Sequence, residues 1–275
     1  MAISLITNIA SLNAQRSLSR SSNVLGKTFE RLSSGLRVNR GADDAAGLGI
    51  GTKFTSEVRG MNMAVRNTND AISAIQIAEG ALDETTNSLQ RMRELAVQAA
   101  SGTLTTTDRT SLNSEFAQLL SEVDRIGKNT KFNSMNLLTG SFTAIQIQVG
   151  AYSGQILSVT ILSATAAGLC STMAGITGDG SAAMSAITTL DSAIASVASI
   201  RATLGSLQNR FESAINSLQN ASQNTAAARS QIMDADIAAE TANLTRNSIL
   251  QQAGASILAQ ANQQPQIALS LLGGR

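Results

Sequence analysis

The sequence predicts a mainly α protein with long antiparallel coiled-coil helices, a small β-hairpin region, and N- and C-terminal helices that pair with each other. Three observations lead to this fold class. Two distant segments carry heptad-spaced apolar residues, a short segment between them alternates with a period of two, and Pro265 is the only proline among 275 residues. Because proline breaks helices more strongly than any other residue, this chain can form unusually long ones.

The composition favours helices that pack through small side chains. Hydrophobic residues make up 43% of the chain, but aromatic residues make up only 3% and tryptophan is absent. The apolar content is therefore mostly Ala, Leu, Ile, Val and Met, a mixture typical of long helices rather than of a compact enzyme core. The length is sufficient for one or two domains with a buried core.

Two segments show the apolar seam of a coiled coil. In each, the seam positions recur at steps that average 3.5 residues, so the helix must coil around a partner to keep its seam covered. In the first seam, Thr68, Glu79 and Thr86 occupy three of the eleven positions and the other eight are apolar. Their separation by about a hundred residues suggests an antiparallel pair. The first seam comprises Phe54, Val58, Met61, Val65, Ile72, Ile75, Leu82 and Leu89. The second comprises Leu190, Ile194, Val197, Ile200, Leu204, Leu207, Phe211, Ile215 and Leu218.

Three further elements are predicted between the two seams. A third helix begins at a cap formed by Thr105 or Thr107, and Gly127 is expected just past its end. Alternating apolar residues on both sides of the sequence GAYSG predict a β-hairpin at about 142–162. Residues 163–181 are small and rich in glycine, which predicts a loop at the far tip.

Both ends of the chain predict helices as well. The N-terminal helix carries apolar residues from Leu5 onward and is expected to end at Gly35, after which Asp43 or Asp44 caps the first long helix. The C-terminal stretch 247–275 has no charged residue before its final arginine. The uncharged ends are expected to lie side by side.

No catalytic, cofactor-binding or metal-binding residues are predicted. The chain has no histidine, which excludes Ser-His-Asp, Cys-His and HExxH chemistry. Cys170 is the only cysteine, so we expect either a small buried residue or, less favoured, a reactive surface thiol. The remaining candidate groups are expected to cap helices, lie on solvated faces or pack the core: the carboxylates Asp43, Asp44, Glu94, Glu115, Glu122 and Asp124, the glycines of GLGIGTKF at 47–54, and the methionines Met61 and Met92.

Composition also bears on location and partners. The N-terminus lacks the positive charge and continuous apolar run of a cleaved signal peptide, and we expect no membrane span because no run of about 18 to 20 apolar residues occurs. The net charge is only +1, and the basic residues are spread along the chain without a stripe. We therefore expect neither nucleic-acid nor membrane binding.

Four sequence blocks resemble the bacterial flagellin family. They are ERLSSGLRVNRGADDAAGLGI at 30–50, LQRMRELAVQAA at 89–100, RATLGSLQNRFESAINSL at 201–218 and ILQQAGASILAQANQQPQIALSLL at 249–272. The resemblance covers roughly residues 1–165 and 185–275, in the family's order. The sequence departs from the family in its ending, SLLGGR, and in the presence of Cys170.

The resemblance implies a non-enzymatic subunit that polymerises into an extracellular flagellar filament. It divides the chain into an N-terminal inner-tube region 1–42, an outer-tube region 43–233 and a C-terminal inner-tube region 234–275. Its implied partners are further copies of the chain, the hook-filament junction and filament cap proteins, an export chaperone and the flagellar type III export gate. The residues implied in inner-tube assembly are Leu5, Ile9, Leu12, Ile249, Leu250, Ile257, Leu258, Leu269 and Leu272.

The family resemblance also points to a receptor. The QRMREL motif and the following helix imply that Arg91, Leu95 and Glu115 are recognised by the vertebrate Toll-like receptor for flagellin, or that they form an exposed face for contacts between subunits.

Three alternatives remain open at this stage. One is a hook-filament junction protein of the same superfamily, and another is the signalling hairpin of a chemoreceptor, against which the β-hairpin argues. An enzyme is the third and the least favoured. The uncharged C-terminal stretch fits assembly, because identical charges brought close together around a narrow channel would repel one another.

Overall fold

The fold is taken from a computed structural model that describes residues 7–170, 175–177 and 180–273, with side chains as far as Pro265. Two compact units are present, one holding residues up to Ser56 and from Asn224 on, and the other Glu57–Gln223. The described helices are α1 Ile9–Ser34, α2 Ala45–Ala99, α3 Thr106–Asn129, α4 Ala166–Leu169, α5 Ser181–Met233 and α6 Ile237–Gly273. The described strands are β1 Lys131–Phe132, β2 Met135–Asn136, β3 Ile145–Gln148 and β4 Ile156–Val159.

In the unit Glu57–Gln223, α2 and α5 run antiparallel, as predicted. Arg93 of α2 pairs with Asp191 of α5 at 2.6 Å, and ten residues earlier on α2, Asp83 pairs with Arg201 at 3.0 Å. The buried seam residues of both helices join α3 and the strands in one apolar cluster. The fully buried members of the predicted seams include Ile75, Leu82, Leu89, Leu204 and Phe211, together with the slightly exposed Met61 and Leu207. The half-buried members of the seams are Phe54, Val58, Val65, Ile72, Ile194, Ile215 and Leu218.

Helix α3 begins where its cap was predicted but ends later. Thr105 accepts a hydrogen bond from the Asp108 N–H, and the Asp108 carboxylate accepts one from the Thr105 N–H, which forms a capping box. Gly127 does not end the helix, as the sequence suggested, but lies buried in its last turn. A Cβ there would stand 2.9 Å from the Cα of Thr165, so glycine allows the chain after the hairpin to pass close to α3.

The predicted β-hairpin is confirmed, and a second strand pair accompanies it. Strand β3 pairs antiparallel with β4, with Ile145 opposite Val159. The small β1–β2 pair was not predicted, since its strands have two residues each and leave no alternating pattern. Its turn places Asn133 and Ser134 at positive φ, a conformation that asparagine tolerates better than most residues.

The segment 163–181 is more ordered than a simple loop in its described part. Thr165 caps the short helix α4 through the Gly168 N–H, and α5 begins at Ser181. Cys170 and Ile176 are both buried and belong to the apolar cluster. The segment therefore closes one side of the core, which its glycine-rich composition did not reveal.

The other unit joins α1 to α6. Helix α1 ends at Gly35, as predicted, with φ of 70° at the cap. Met233 accepts a hydrogen bond from the Arg37 N–H at 2.6 Å, and the Ala235 N–H donates to Gly35 at 2.9 Å. These bonds hold the loop after α1 against the junction of α5 and α6. The Asp44 carboxylate accepts a hydrogen bond from the Gly47 N–H at 2.8 Å and so caps α2.

The region boundaries expected at 42/43 and 233/234 fall at breaks between helices, whereas the two compact units divide within α2 and α5.

Helix α5 contains a stretch long and apolar enough, by length and composition alone, to cross a membrane. The buried residues of that helix belong to the apolar cluster of the unit Glu57–Gln223.

Candidate assembly surface of the terminal helices

Helix α1 buries small and polar side chains and leaves several of its large apolar ones exposed. Its buried residues are Ser11, Ala14 and Thr28. Ile9, by contrast, is 63% exposed and Leu12 is 48% exposed. Burying a large apolar side chain is worth about 1.5–3 kcal/mol, so a helix that leaves such residues in water has an unfilled contact surface.

Helix α6 shows the same arrangement. Ile249 is 59% exposed, Leu250 50% and Ile257 58%, while Leu258 is half-buried. The face of α6 that packs within the chain uses small residues, among them the buried Ala261. A Cβ on Gly254 would lie 3.4 Å from Leu18, which shows how closely the two helices approach.

Amide and hydroxyl groups fix the alignment of the two helices. The Asn8 side-chain amide donates to the Ala261 carbonyl at 2.7 Å, and the Ser11 hydroxyl donates to the Asn262 side chain at 2.8 Å. Asn8 also caps α1 by accepting from the Ser11 N–H. The aliphatic side chains of Ile9, Leu12 and Ile257 are exposed beside these hydrogen bonds and remain available to other molecules.

The structure thus places five of the expected assembly residues on the surface of the terminal helices: Ile9, Leu12, Ile249, Leu250 and Ile257. Leu258 is their half-buried neighbour. Leu5 lies outside the described residues, and so do the side chains of Leu269 and Leu272. The described side chains of this set are aliphatic, and what they can do is bind apolar surface.

The three residues linked to receptor recognition do not form one exposed face. Arg91 donates to Glu115 at 2.9 Å and to Glu94 at 3.0 Å, and these charged groups are exposed. Both contacts raise the pKa of Arg91, the Glu115 hydrogen bond most strongly. Leu95 is only 1% exposed, because it falls on the side of α2 that packs into the apolar cluster. The expectation that Leu95 is accessible is therefore wrong for the single chain.

The groups considered for chemistry have structural roles. Glu122 pairs with Arg125 and Asp124 with Lys128, each within one turn of α3. Among the described residues, no group of His, Cys, Asp and Glu side chains could hold a metal ion. In GLGIGTKF, a Cβ on Gly51 would overlap the side chain of Met233, which would have to move. Met61 and Met92 are buried, as expected for core residues.

An apolar cleft of about 330 Å³ lies beside the hairpin in the unit Glu57–Gln223. Its walls include Ala71 and Ile75 of α2 and Ile147 of β3, with Asp70 as its one charged side chain. A single carboxylate without an acid-base partner does not make a catalytic site.

Comparison with known proteins agrees with this picture. The profile described as "Bacterial flagellin N-terminal helical region" matches residues 5–143, and that of the "Bacterial flagellin C-terminal helical region" matches residues 187–272. A flagellin from Halalkalibacterium halodurans is 46% identical over 96% of this chain and 98% of its own length. The flagellar filament 30.7 kDa core protein of Treponema maltophilum is 42% identical with the same coverage.

Solved structures show the same fold. The crystal structure of Bacillus cereus flagellin aligns with a TM-score of 0.51 and 36% identity, and covers 60% of this chain and 94% of that one. A putative flagellar hook-associated protein from Vibrio parahaemolyticus aligns with a TM-score of 0.54 over 70% of this chain, but at 15% identity it supports the fold alone. With both profiles and full-length relatives in agreement, the chain belongs to the bacterial flagellin family.

Proposed function

We propose that this protein is the repeating structural subunit of an extracellular bacterial flagellar filament, which polymerises through the outward faces of α1 and α6. The observation that carries the proposal is the exposure of large aliphatic side chains on two uncharged helix segments, Ile9 and Leu12 on α1 and Ile249, Leu250 and Ile257 on α6. Membership of the flagellin family supports it, since relatives of matching length are named as filament core proteins.

The driving force is removal of these side chains from water. At about 25 cal/mol for each Å² of apolar surface, burial of several half-exposed Leu and Ile residues per subunit stabilises a polymer that repeats the contact many times. Charges are absent from α6 after Arg246 and before Arg275. Identical segments can therefore approach one another without repulsion.

The terminal regions and the central region of the chain have different tasks in this proposal. Regions 1–42 and 234–275 form the inner tube of the filament, and 43–233 forms the outer tube. The seam side chains of α2 and α5 stabilise the outer region and make no contact with other copies. Arg91 and Glu115, which are exposed, contribute to contacts between subunits or to recognition by a host Toll-like receptor.

The chain's route to the filament follows from the family resemblance. It would be exported unfolded through the flagellar type III apparatus, without a cleaved signal peptide, and would be bound by an export chaperone beforehand. In the assembled organelle it would meet the hook-filament junction and cap proteins. The proposal assigns no reaction and no cofactor to the chain.

A hook-filament junction protein of the same superfamily is the second candidate, as the sequence resemblance left open. It is less favoured, because a relative aligned over nearly its whole length is named flagellin. Filament growth separates the two candidates, because a junction protein caps an assembly and does not propagate it.

Seeded polymerisation of the purified chain tests the proposal. Monomers are mixed with short filament fragments, and growth is followed by light scattering and negative-stain electron microscopy. We expect long filaments that contain only this protein. Monomers that stay dispersed, or that add a single layer and stop, would contradict the proposal and favour the junction role.

A further inference from the structure

Three basic side chains form a row on the outward face of α1. Each residue of an α-helix turns the side-chain direction by about 100°, so Arg16, Arg20 and Lys27 fall within about 40° of one another. All three are exposed, and together with Ser19, Asn23 and Val24 they line one shallow groove. The basic row is not apparent in the linear sequence, where uncharged residues separate Arg16, Arg20 and Lys27.

Among the described residues, no carboxylate neutralises the basic row. In the described part of the protein, no ion pair joins Arg16, Arg20 or Lys27 to a carboxylate. By contrast, two other arginines of the same unit are paired, Arg31 with Glu240 and Arg40 with Glu30. The row points away from α6, since the residues of α1 buried against that helix lie on the opposite side. Helix α6 carries no carboxylate after Glu240.

The basic row continues the proposed assembly surface. Ile9 and Leu12 lie on the same side of α1 as Arg16, about two turns and one turn before it, respectively, by the same helical geometry. A partner that covers the aliphatic end of this face also covers the basic row. Such a partner must offer anionic groups there, because covering three unpaired cations with apolar surface would be costly.

A second copy of the chain carries suitable anions. Asp234 and Asp236, beside the start of α6, are exposed. Asp234 makes no ion pair among the described residues, and Asp236 caps α6 through only one of its oxygens, Oδ1. The backbone bonds between 35–37 and 233–235 hold these carboxylates at the Gly35 end of α1. The helix rise of about 1.5 Å per residue puts Ser34 about 21 Å along α1 from Arg20.

We propose that in the filament the basic row of α1 binds the carboxylates of Asp234 and Asp236 on a neighbouring copy. Complementary patches at different places on one surface produce a head-to-tail contact, which propagates into an open polymer instead of closing into a dimer. The electrostatic contact fixes the offset between copies, while the aliphatic residues supply most of the free energy. This inference rests on the proposed function.

Charge reversal and restoration test the contact. The variant Arg16→Glu with Arg20→Glu replaces attraction by repulsion at two positions, and we expect its critical concentration for seeded growth to rise about tenfold or more. Adding Asp234→Arg to the same chain restores opposite charges across the contact and should recover most of the lost assembly. The charge-conserving control, Arg16→Lys with Arg20→Lys, should assemble nearly as the wild type does. Circular dichroism of each monomer checks that its helices are intact.

The outcomes separate this inference from the proposed function. A reversed variant that grows like the wild type, or one that Asp234→Arg does not rescue, would overturn the pairing while leaving the filament role intact. Binding of a DNA oligonucleotide by the wild type that the reversed variant loses, with unchanged assembly, would overturn it in favour of a polyanionic ligand. A wild-type chain that forms no filaments would overturn the proposed function, and this inference with it.

Discussion

Arg201 of α5 pairs with Asp83 of α2 across 3.0 Å, and this contact marks the register of the antiparallel coil. Both side chains are partly exposed, and exposed ion pairs contribute only about 0–1 kcal/mol. We predict that Asp83→Asn lowers the free energy of unfolding by no more than about 1 kcal/mol. Leu204→Ala, at a fully buried seam position, should lower it by about 2–5 kcal/mol. Urea denaturation measures both, and equal losses would contradict the view that the apolar seam stabilises the coil.

Gly127 is the glycine at which an added methyl group should be most informative. Its Cβ would collide with the backbone of Thr165, so we predict that Gly127→Ala destabilises the protein by about 1–3 kcal/mol despite the better helix propensity of alanine. Gly80 of α2 is the matched control, since a Cβ there meets nothing within 4 Å. Gly80→Ala should stabilise by up to about 1 kcal/mol. Thermal unfolding measures the stability of both variants. A stability change of the same sign in Gly127→Ala and Gly80→Ala would contradict the prediction.

The capping box of α3 makes a pH-dependent contribution to stability. Hydrogen bonds from the Thr105 hydroxyl and N–H lower the pKa of Asp108 below its usual value. Because the folded-state pKa is the lower one, this stabilisation is present above the unfolded-state pKa of about 4 and is lost as the pH falls through the folded-state pKa. Asp108→Asn should remove this part of the acid dependence. The free energy of unfolding of both proteins, measured between about pH 7 and pH 3, checks this prediction. The same pH dependence in Asp108→Asn and the wild type would contradict the role given to Asp108.

Cys170 is predicted to resist thiol reagents in the folded protein. Burial raises the pKa of its thiol to about 11, so very little reactive thiolate forms near neutral pH. We expect slow labelling by a maleimide at pH 7.5 in buffer and rapid labelling in denaturant. Labelling that is equally fast in both would contradict its burial and would restore the surface-thiol alternative.

The helical part of the fold could be read from the sequence because long helices leave long periodic patterns. Seam residues such as Leu82 and Leu204 repeat over many turns, and short-range signals such as Thr105 and Gly35 mark where helices begin and end. The β-hairpin was also predictable, because four residues in each strand are enough to show alternation.

The missed features depend on contacts between distant residues. Gly127 resembles a helix terminator, but its role is set by the approach of Thr165, which only the tertiary structure shows. Leu95 lies in a polar motif, and its burial follows from the packing of the side of α2 on which it falls. The direction of the aliphatic residues on α6 was equally hidden, because periodicity shows that a face exists but does not identify the molecule that covers it.

The central claim is that aliphatic side chains exposed on the terminal helices drive polymerisation, and Ile257 tests it most directly. Its side chain is 58% exposed, so Ile257→Glu should leave the monomer's helix content unchanged. The critical concentration for seeded growth is the measurement, with Ile257→Leu as the control that keeps an aliphatic group. We expect the glutamate variant to form no filaments even at about ten times the wild-type critical concentration, and the leucine variant to assemble normally. Filaments of the glutamate variant that grow as readily as the wild type at equal concentration would contradict the claim.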